Sequence, residues 1–217
     1  IKHIGLTNFD SAHLRIACAS GIPIVSNQIC HSLIDQRASG EMTKVCQEYG
    51  VKILAFGTLA GGFLSEKWLG KTEPLLENEA TWSQMKYKRF IDAAGGWAKF
   101  QNLLKAVSGI AEKHQVSIAN VATKFILEQP QIGGVIIGAR LGQSAHVEET
   151  MKLFSFSLSE KDKATIQEAQ SILTPIPGDC GDEYRKPPFL TASGDLSHHL
   201  ESFPKPYEVK ENVNGSL

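Results

Sequence analysis

Three short apolar stretches of this chain end in residues that could line a ligand: Thr7-Asn8, Asn27-Gln28 and Phe56-Gly57. Phe56 is placed to offer an aromatic face to something flat. Gly57, Gly61 and Gly62 follow it, and each lets a backbone come close to a ligand where a side chain would obstruct it. Together these ends suggest one edge of a binding site. Taken singly, each has an ordinary reading. Two amides can finish a strand by bonding local backbone, a lone Phe can be core, and Arg140 can be a solvated surface charge. The run Asp179-Cys180-Gly181-Asp182-Glu183, with His198-His199 beyond it, has no familiar metal-ligand spacing, so no metal is expected.

The elements that must position these residues alternate between strand and helix. Strands are expected at residues 2–7, 22–28, 51–56 and 134–139, and the third, ended by Gly, reads as fully buried. Asp10 is a good N-cap for a helix over 11–20, stopped by Gly21 and Pro23. A second helix is expected over 40–49, with Met42, Val45, Cys46 and Tyr49 on one face and Gly50 closing it. Residues 62–96 read as a long irregular segment containing Trp68 and Trp82. Phe100, Leu103, Leu104, Val107, Ile110 and Ala111 then recur at helical spacing. Ser117 caps the next helix, which ends by Pro130, another starts near Ser144, and Ser159 with Asp162 opens the last. From Pro175 the pattern dissolves into a Pro-, Gly- and Ser-rich tail.

Composition narrows the function classes. The 217 residues are 42% hydrophobic and 21% charged with a net charge of -1, which gives no sign of a nucleic-acid or anionic-membrane partner. No apolar run approaches the roughly 20 residues of a membrane span. The four cysteines are scattered, as free thiols in a reducing compartment are, and the cytosol is the expected location. The chain opens at Ile1 inside a strand-like run, so either a missing upstream portion or a processed chain is expected.

Alternating strands and helices imply βαβ units, a parallel sheet and a ligand at the carboxyl ends of the strands. Either an open doubly wound sheet or part of a (β/α)8 barrel fits, although no G-x-G-x-x-G follows the first strand as a dinucleotide-binding open sheet would require.

Four strand-end motifs, in order, resemble the carboxyl half of the aldo/keto reductase family: Ile4-Gly-Leu-Thr-Asn-Phe9, Ser26-Asn-Gln28, Ala55-Phe-Gly-Thr-Leu-Ala-Gly-Gly-Phe-Leu-Ser65 and Ile137-Gly-Ala-Arg140. The resemblance implies strands five to eight of a TIM barrel over residues 1–174, with 175–217 a tail on the substrate side where Pro187, Pro188, Phe189 and Leu190 could shape the pocket. It also implies NADPH-dependent reduction of an aldehyde or ketone.

By the same resemblance Thr7, Asn8 and Gln28 would hold the nicotinamide carboxamide, whose donors and acceptors suit a hydroxyl and two amides. Phe56 would stack on the ring. Gly57, Leu59, Gly61, Ser65 and Lys67 would wrap the pyrophosphate. Gly138 and Arg140 would lie at the 2′-phosphate, with His146, Glu149 and Thr150 around the adenine. His146 and Thr150 depart from the commoner pattern of Gln and Asn at those positions. The family's catalytic Asp, Tyr, Lys and His lie on strands upstream of this chain, and Tyr49, Tyr87 and His31 do not match them. The alternative is a catalytically inactive nucleotide-binding regulatory or interaction protein.

Overall fold

A computed structural model describes residues 1–75, 81–139, 142 and 145–186. Local signals start and stop its elements largely where the chemistry requires. Asp10 accepts from the His13 N–H at 2.8 Å and opens α1, Ser11–Ala19. Gly50, in the left-handed region at φ 70°, closes α2, Glu41–Tyr49, whose Met42, Val45 and Cys46 are buried. Ser117 caps α5, Ile118–Leu127, and the Ser159–Asp162 capping box opens α7, Glu160–Ser171.

The four strands, β1 (Ile4–Thr7), β2 (Ile24–Cys30), β3 (Lys52–Phe56) and β4 (Ile132–Ile136), form one parallel sheet in chain order. Helices flank it, so the architecture is α/β with a partial barrel. Register aligns Asn27 with Ile53 and Ile29 with Ala55, and all four are buried. The alternate row is not. Lys52 is exposed and Leu54 and Phe56 are half-buried, so β3 does not have the two covered faces that its apolar run suggested. The pleat sends successive side chains to opposite faces, and only one of these faces carries the packed core.

Three other expectations change. The segment over 62–96 is not irregular throughout: α3, Trp82–Ala93, is built into it. There Thr81 Oγ1 accepts from the Gln84 N–H at 3.2 Å, and Gln84 Oε1 accepts from the Thr81 N–H at 3.0 Å. Tyr87, Phe90 and Ile91 form its buried stripe. The fourth strand lies at Ile132–Ile136, two residues earlier than expected, leaving Gly138 beyond it. The helix expected near Ser144 is the short α6, Val147–Met151.

α4, Trp97–His114, carries the expected apolar face. Its Trp97 and Phe100 pack with Phe63, at centroid distances of 6.0 and 6.3 Å. Trp68 joins this cluster 4.9 Å from Phe63, whereas Trp82 is 70% exposed. Residues 176–186 are also part of the packed body, because Ile176, Cys180, Asp182 and Glu183 are all buried.

Candidate functional site

Thr7, Gln28 and Leu54 occupy one cross-strand row, and Cys30, Phe56 and Ile136 form the next row toward the carboxyl end. Phe56, two residues beyond Leu54, therefore shares a face with Thr7 and Gln28. The Asn8 N–H donates to the Gln28 carbonyl at 2.9 Å, continuing the ladder past the end of β1. Asn8 does so at φ 58°, a left-handed conformation that Asn adopts more readily than most residues. Its Oδ1 is buried with no hydrogen-bond partner among the described residues. A buried acceptor left in this state costs free energy. Thr7 is exposed, and Asn8, Gln28 and Phe56 are half-buried.

The glycine loop after β3 contains the left-handed conformations that favour glycine, at Gly57 (φ 70°) and Gly61 (φ 64°). Their open sides meet protein. A Cβ at Gly57 would collide with the Tyr87 hydroxyl, and one at Gly61 would lie 3.0 Å from the Ser83 carbonyl oxygen. Both contacts belong to α3, so close approach to this loop is made by a helix of the chain itself. Gly62 has open space around its Cβ position. Leu59 is half-buried, the Ser65 hydroxyl donates to the Gly62 carbonyl at 2.7 Å, and the exposed Lys67 lies 5.1 Å from the Trp68 ring.

Lys86, also on α3, is a residue that sequence reasoning missed. Its Nζ donates to Tyr184 Oη at 2.6 Å. It sits 5.2 Å from the Phe56 ring, 5.3 Å from Tyr87 and 4.5 Å from Tyr184. Such an aromatic surround stabilises an ammonium electrostatically. Burial raises the Tyr184 phenol above its ordinary value, with Lys86 opposing, and burial holds Tyr87 higher still. The capping box at Thr81 and the spacing of Tyr87, Phe90 and Ile91 were the available signals for α3. The partnership with Tyr184 spans 98 residues and had none.

Tyr184 belongs to a 3₁₀ turn, Asp182–Tyr184, tied to the end of β1. Arg185 donates to the Asn8 carbonyl at 2.5 Å, and Asp179 accepts from the Ser11 N–H at 2.8 Å. Beneath it lies an ion cluster in which the Arg37 side chain is 3% exposed and those of Asp35 and Glu183 are fully buried. Arg37 Nη2 is 2.6 Å from Asp35 Oδ2 and 3.0 Å from Glu183 Oε2, and Nη1 donates to the Asp179 carbonyl at 2.9 Å. Burial by itself disfavours the guanidinium, but its carboxylates outweigh that and raise its pKa. Asp179, Asp182 and Glu183, the acidic run of the tail, are thus taken up by backbone N–H groups and by Arg37, Arg185 and Lys186. His31 is buried, with Nδ1 3.0 Å from the Asp35 carbonyl, and burial pushes its pKa down, favouring the neutral form.

On the β4 side, Gly138 and His146 are exposed, and His146 opens α6 at φ 51°. Glu149 accepts from Asn120 Nδ2 at 2.8 Å and pairs with Lys152 at 2.7 Å, an interaction that lowers its pKa. It therefore already joins α5 to α6. Thr150 is half-buried. Arg140, Pro187, Pro188, Phe189, Leu190, His198 and His199 lie outside the described residues.

The description of the aldo/keto reductase family matches residues 1–171. The chain belongs to the aldo/keto reductase family. Among relatives of this aldo/keto reductase chain, it is 34% identical over 130 residues to flagellar radial spoke protein 5 of Chlamydomonas reinhardtii, across 59% of this chain and 24% of that protein. It is 30% identical over 173 residues to the probable aldo-keto reductase 1 of Glycine max, across 79% of this chain and 47% of the relative. The glycerol dehydrogenase of Gluconobacter oxydans superposes with a TM-score of 0.64 at 19% identity, covering 82% of this chain and 52% of that one. That likeness supports the fold alone. The chain spans about half the length of the plant relative and about a quarter of the spoke protein.

Proposed function

We propose that this aldo/keto reductase chain is the nucleotide-binding half of an NADPH-dependent oxidoreductase that reduces an aldehyde or ketone. The observation that carries the reading is the meeting of Thr7, Asn8, Gln28 and Phe56 on neighbouring strand ends. Thr7, Asn8 and Gln28 would hold the carboxamide of the nicotinamide, and Phe56 would set the ring plane. The nicotinamide, when bound, supplies hydride to the carbonyl carbon. The loop from Gly57 through Leu59, Gly61, Ser65 and Lys67 would hold the pyrophosphate, and Arg140, with Gly138 beside it, the 2′-phosphate. His146, Glu149 and Thr150 would border the adenine.

In this reading residues 1–174 correspond to barrel strands five to eight, and 175–217 cover the substrate side in a cytosolic protein. The catalytic acid would come from outside this chain. Titration with both cofactors tests the assignment. NADPH should bind more tightly than NADH, Arg140→Ala should remove most of the difference, and Gln28→Ala should weaken both by roughly tenfold. Equal affinities of the unmodified chain for NADPH and NADH would sink the 2′-phosphate assignment.

The similarity to a flagellar radial spoke protein favours a second reading, a barrel-derived interaction or regulatory protein that binds nucleotide without turnover. Oxidation of NADPH in the presence of a generic aldehyde by the protein from its natural source separates the two, because only the reductase reading requires it.

A further inference from the structure

The first turn of α5 joins two distant parts of the proposed nucleotide surface. Ser117 Oγ accepts from the Asn120 N–H at 3.2 Å, which leaves the Ile118 N–H at the start of the helix to be met from elsewhere. That N–H donates to Glu66 Oε1 at 2.6 Å, across 52 residues of sequence. A carboxylate suits the place, because the N-terminal end of a helix carries partial positive charge. Glu66 opens the 3₁₀ turn Glu66–Trp68 and stands between Ser65 and Lys67 of the glycine loop. The same turn is fastened to α4 by one amide. Gln101 Nε2 donates to the Trp68 carbonyl at 2.9 Å, and Gln101 Oε1 accepts from the Gly70 N–H at 2.8 Å. On its other side α5 holds α6. The buried Asn120 donates through Nδ2 to Glu149 Oε1 at 2.8 Å and to the Glu149 carbonyl at 3.0 Å.

We infer that this turn of α5 sets the spacing of the cofactor site, with Glu66 and Asn120 as positioning residues that fix the diphosphate loop against the α6 residues at the adenine. This rests on the cofactor reading above. A dinucleotide touches both segments at once, so its affinity depends on their separation as well as on the contacts that each makes. Neither residue needs to touch the ligand. α5 itself is seated in the core through Ile118, Val121, Ala122 and Phe125. Cutting one strut therefore frees the segment it holds and leaves the helix in place.

Glu66→Gln keeps an acceptor for the Ile118 N–H, Glu66→Ala removes it, and Asn120→Ala releases Glu149. In the full chain, Glu66→Ala and Asn120→Ala should each weaken NADPH binding by roughly tenfold, and Glu66→Gln by no more than about threefold. Amide hydrogen exchange supplies a readout that a merely structural role would not move. In the unmodified chain NADPH should slow exchange over residues 62–69 and 147–151 together. With Asn120→Ala saturated by NADPH, the slowing should persist over 62–69 and be lost over 147–151, and Glu66→Ala should show the reverse. Unchanged NADPH affinity in both alanine variants overturns the positioning role, and so does protection lost over both segments alike in either variant. Absence of NADPH binding by the unmodified chain is a separate result, which overturns the cofactor reading and this inference with it.

Discussion

Asp162 is the titrating group whose charge the fold most clearly uses. It accepts from the Ser159 backbone N–H at 3.0 Å, and Lys113 and His114 lie at 2.8 and 2.9 Å. Burial opposes its ionisation, but Lys113, Ser159 and His114 together outweigh burial and lower its pKa well below the ordinary 3.8. A depressed folded pKa means that the contribution is complete above the unfolded value and is lost as pH falls toward the folded one. Asp162→Asn should therefore cost about 1–3 kcal/mol at neutral pH, and the gap to the unmodified chain should narrow below about pH 4. Urea unfolding across that range measures it, and a gap independent of pH would contradict the assignment. The cysteines give a second check at this scale. All four are free; burial pushes the Cys46 thiol up to about 12, and Cys30 and Cys180 are also raised well above their ordinary value. Alkylation of the native chain should label the half-buried Cys18 first and the other three only on unfolding. The capping roles of Asp10, Ser117 and Ser159 were legible in the sequence because a cap acts over three residues. The engagement of Glu149 by Asn120 was not, because it bridges two helices.

At the scale of elements, the joint between the tail and the strand ends is the feature that local sequence concealed. Gly181, at φ 79°, packs so closely on the Asn8 carbonyl oxygen that a Cβ would collide with it. Gly181→Ala should lift residues 179–186 away from β1, making the chain easier to cleave there and destabilising it by about 1–3 kcal/mol. Protease resistance at residues 179–186 equal to that of the unmodified chain would show that the tail is held elsewhere. Arg37→Met tests the ion cluster beneath it. Removing the cation leaves Asp35 and Glu183 buried without their shared partner, and the expected loss is about 3–5 kcal/mol in urea unfolding. A loss under about 1 kcal/mol would mean that the cluster contributes little charge pairing. α3 was open to reading from its capping box and apolar spacing. The surrounding length of irregular chain masked it.

For the whole molecule, the sheet order among the described residues leaves β1 and β4 as edges with one strand neighbour each, and the sheet face away from the core is only partly covered. Ile136, beside Phe56 on that face, is 42% exposed. Unpaired parallel edges and a half-covered apolar face favour association. The 217-residue polypeptide is expected to sediment as a dimer or larger species at micromolar concentration, and a monomer with one cooperative unfolding transition would contradict this.

The sequence alone determined that strands and helices alternate, where most helices begin, and which motifs place the chain near the aldo/keto reductases. These properties depend on periodicity, caps and turns, which act within a few residues. Tertiary structure alone decided that Thr7 and Gln28 share a row, that Asn8 Oδ1 is left without a partner among the described residues, and that Lys86 reaches Tyr184 over the ring of Phe56. Those depend on strand register and on contacts between residues far apart in the chain, which no local pattern encodes.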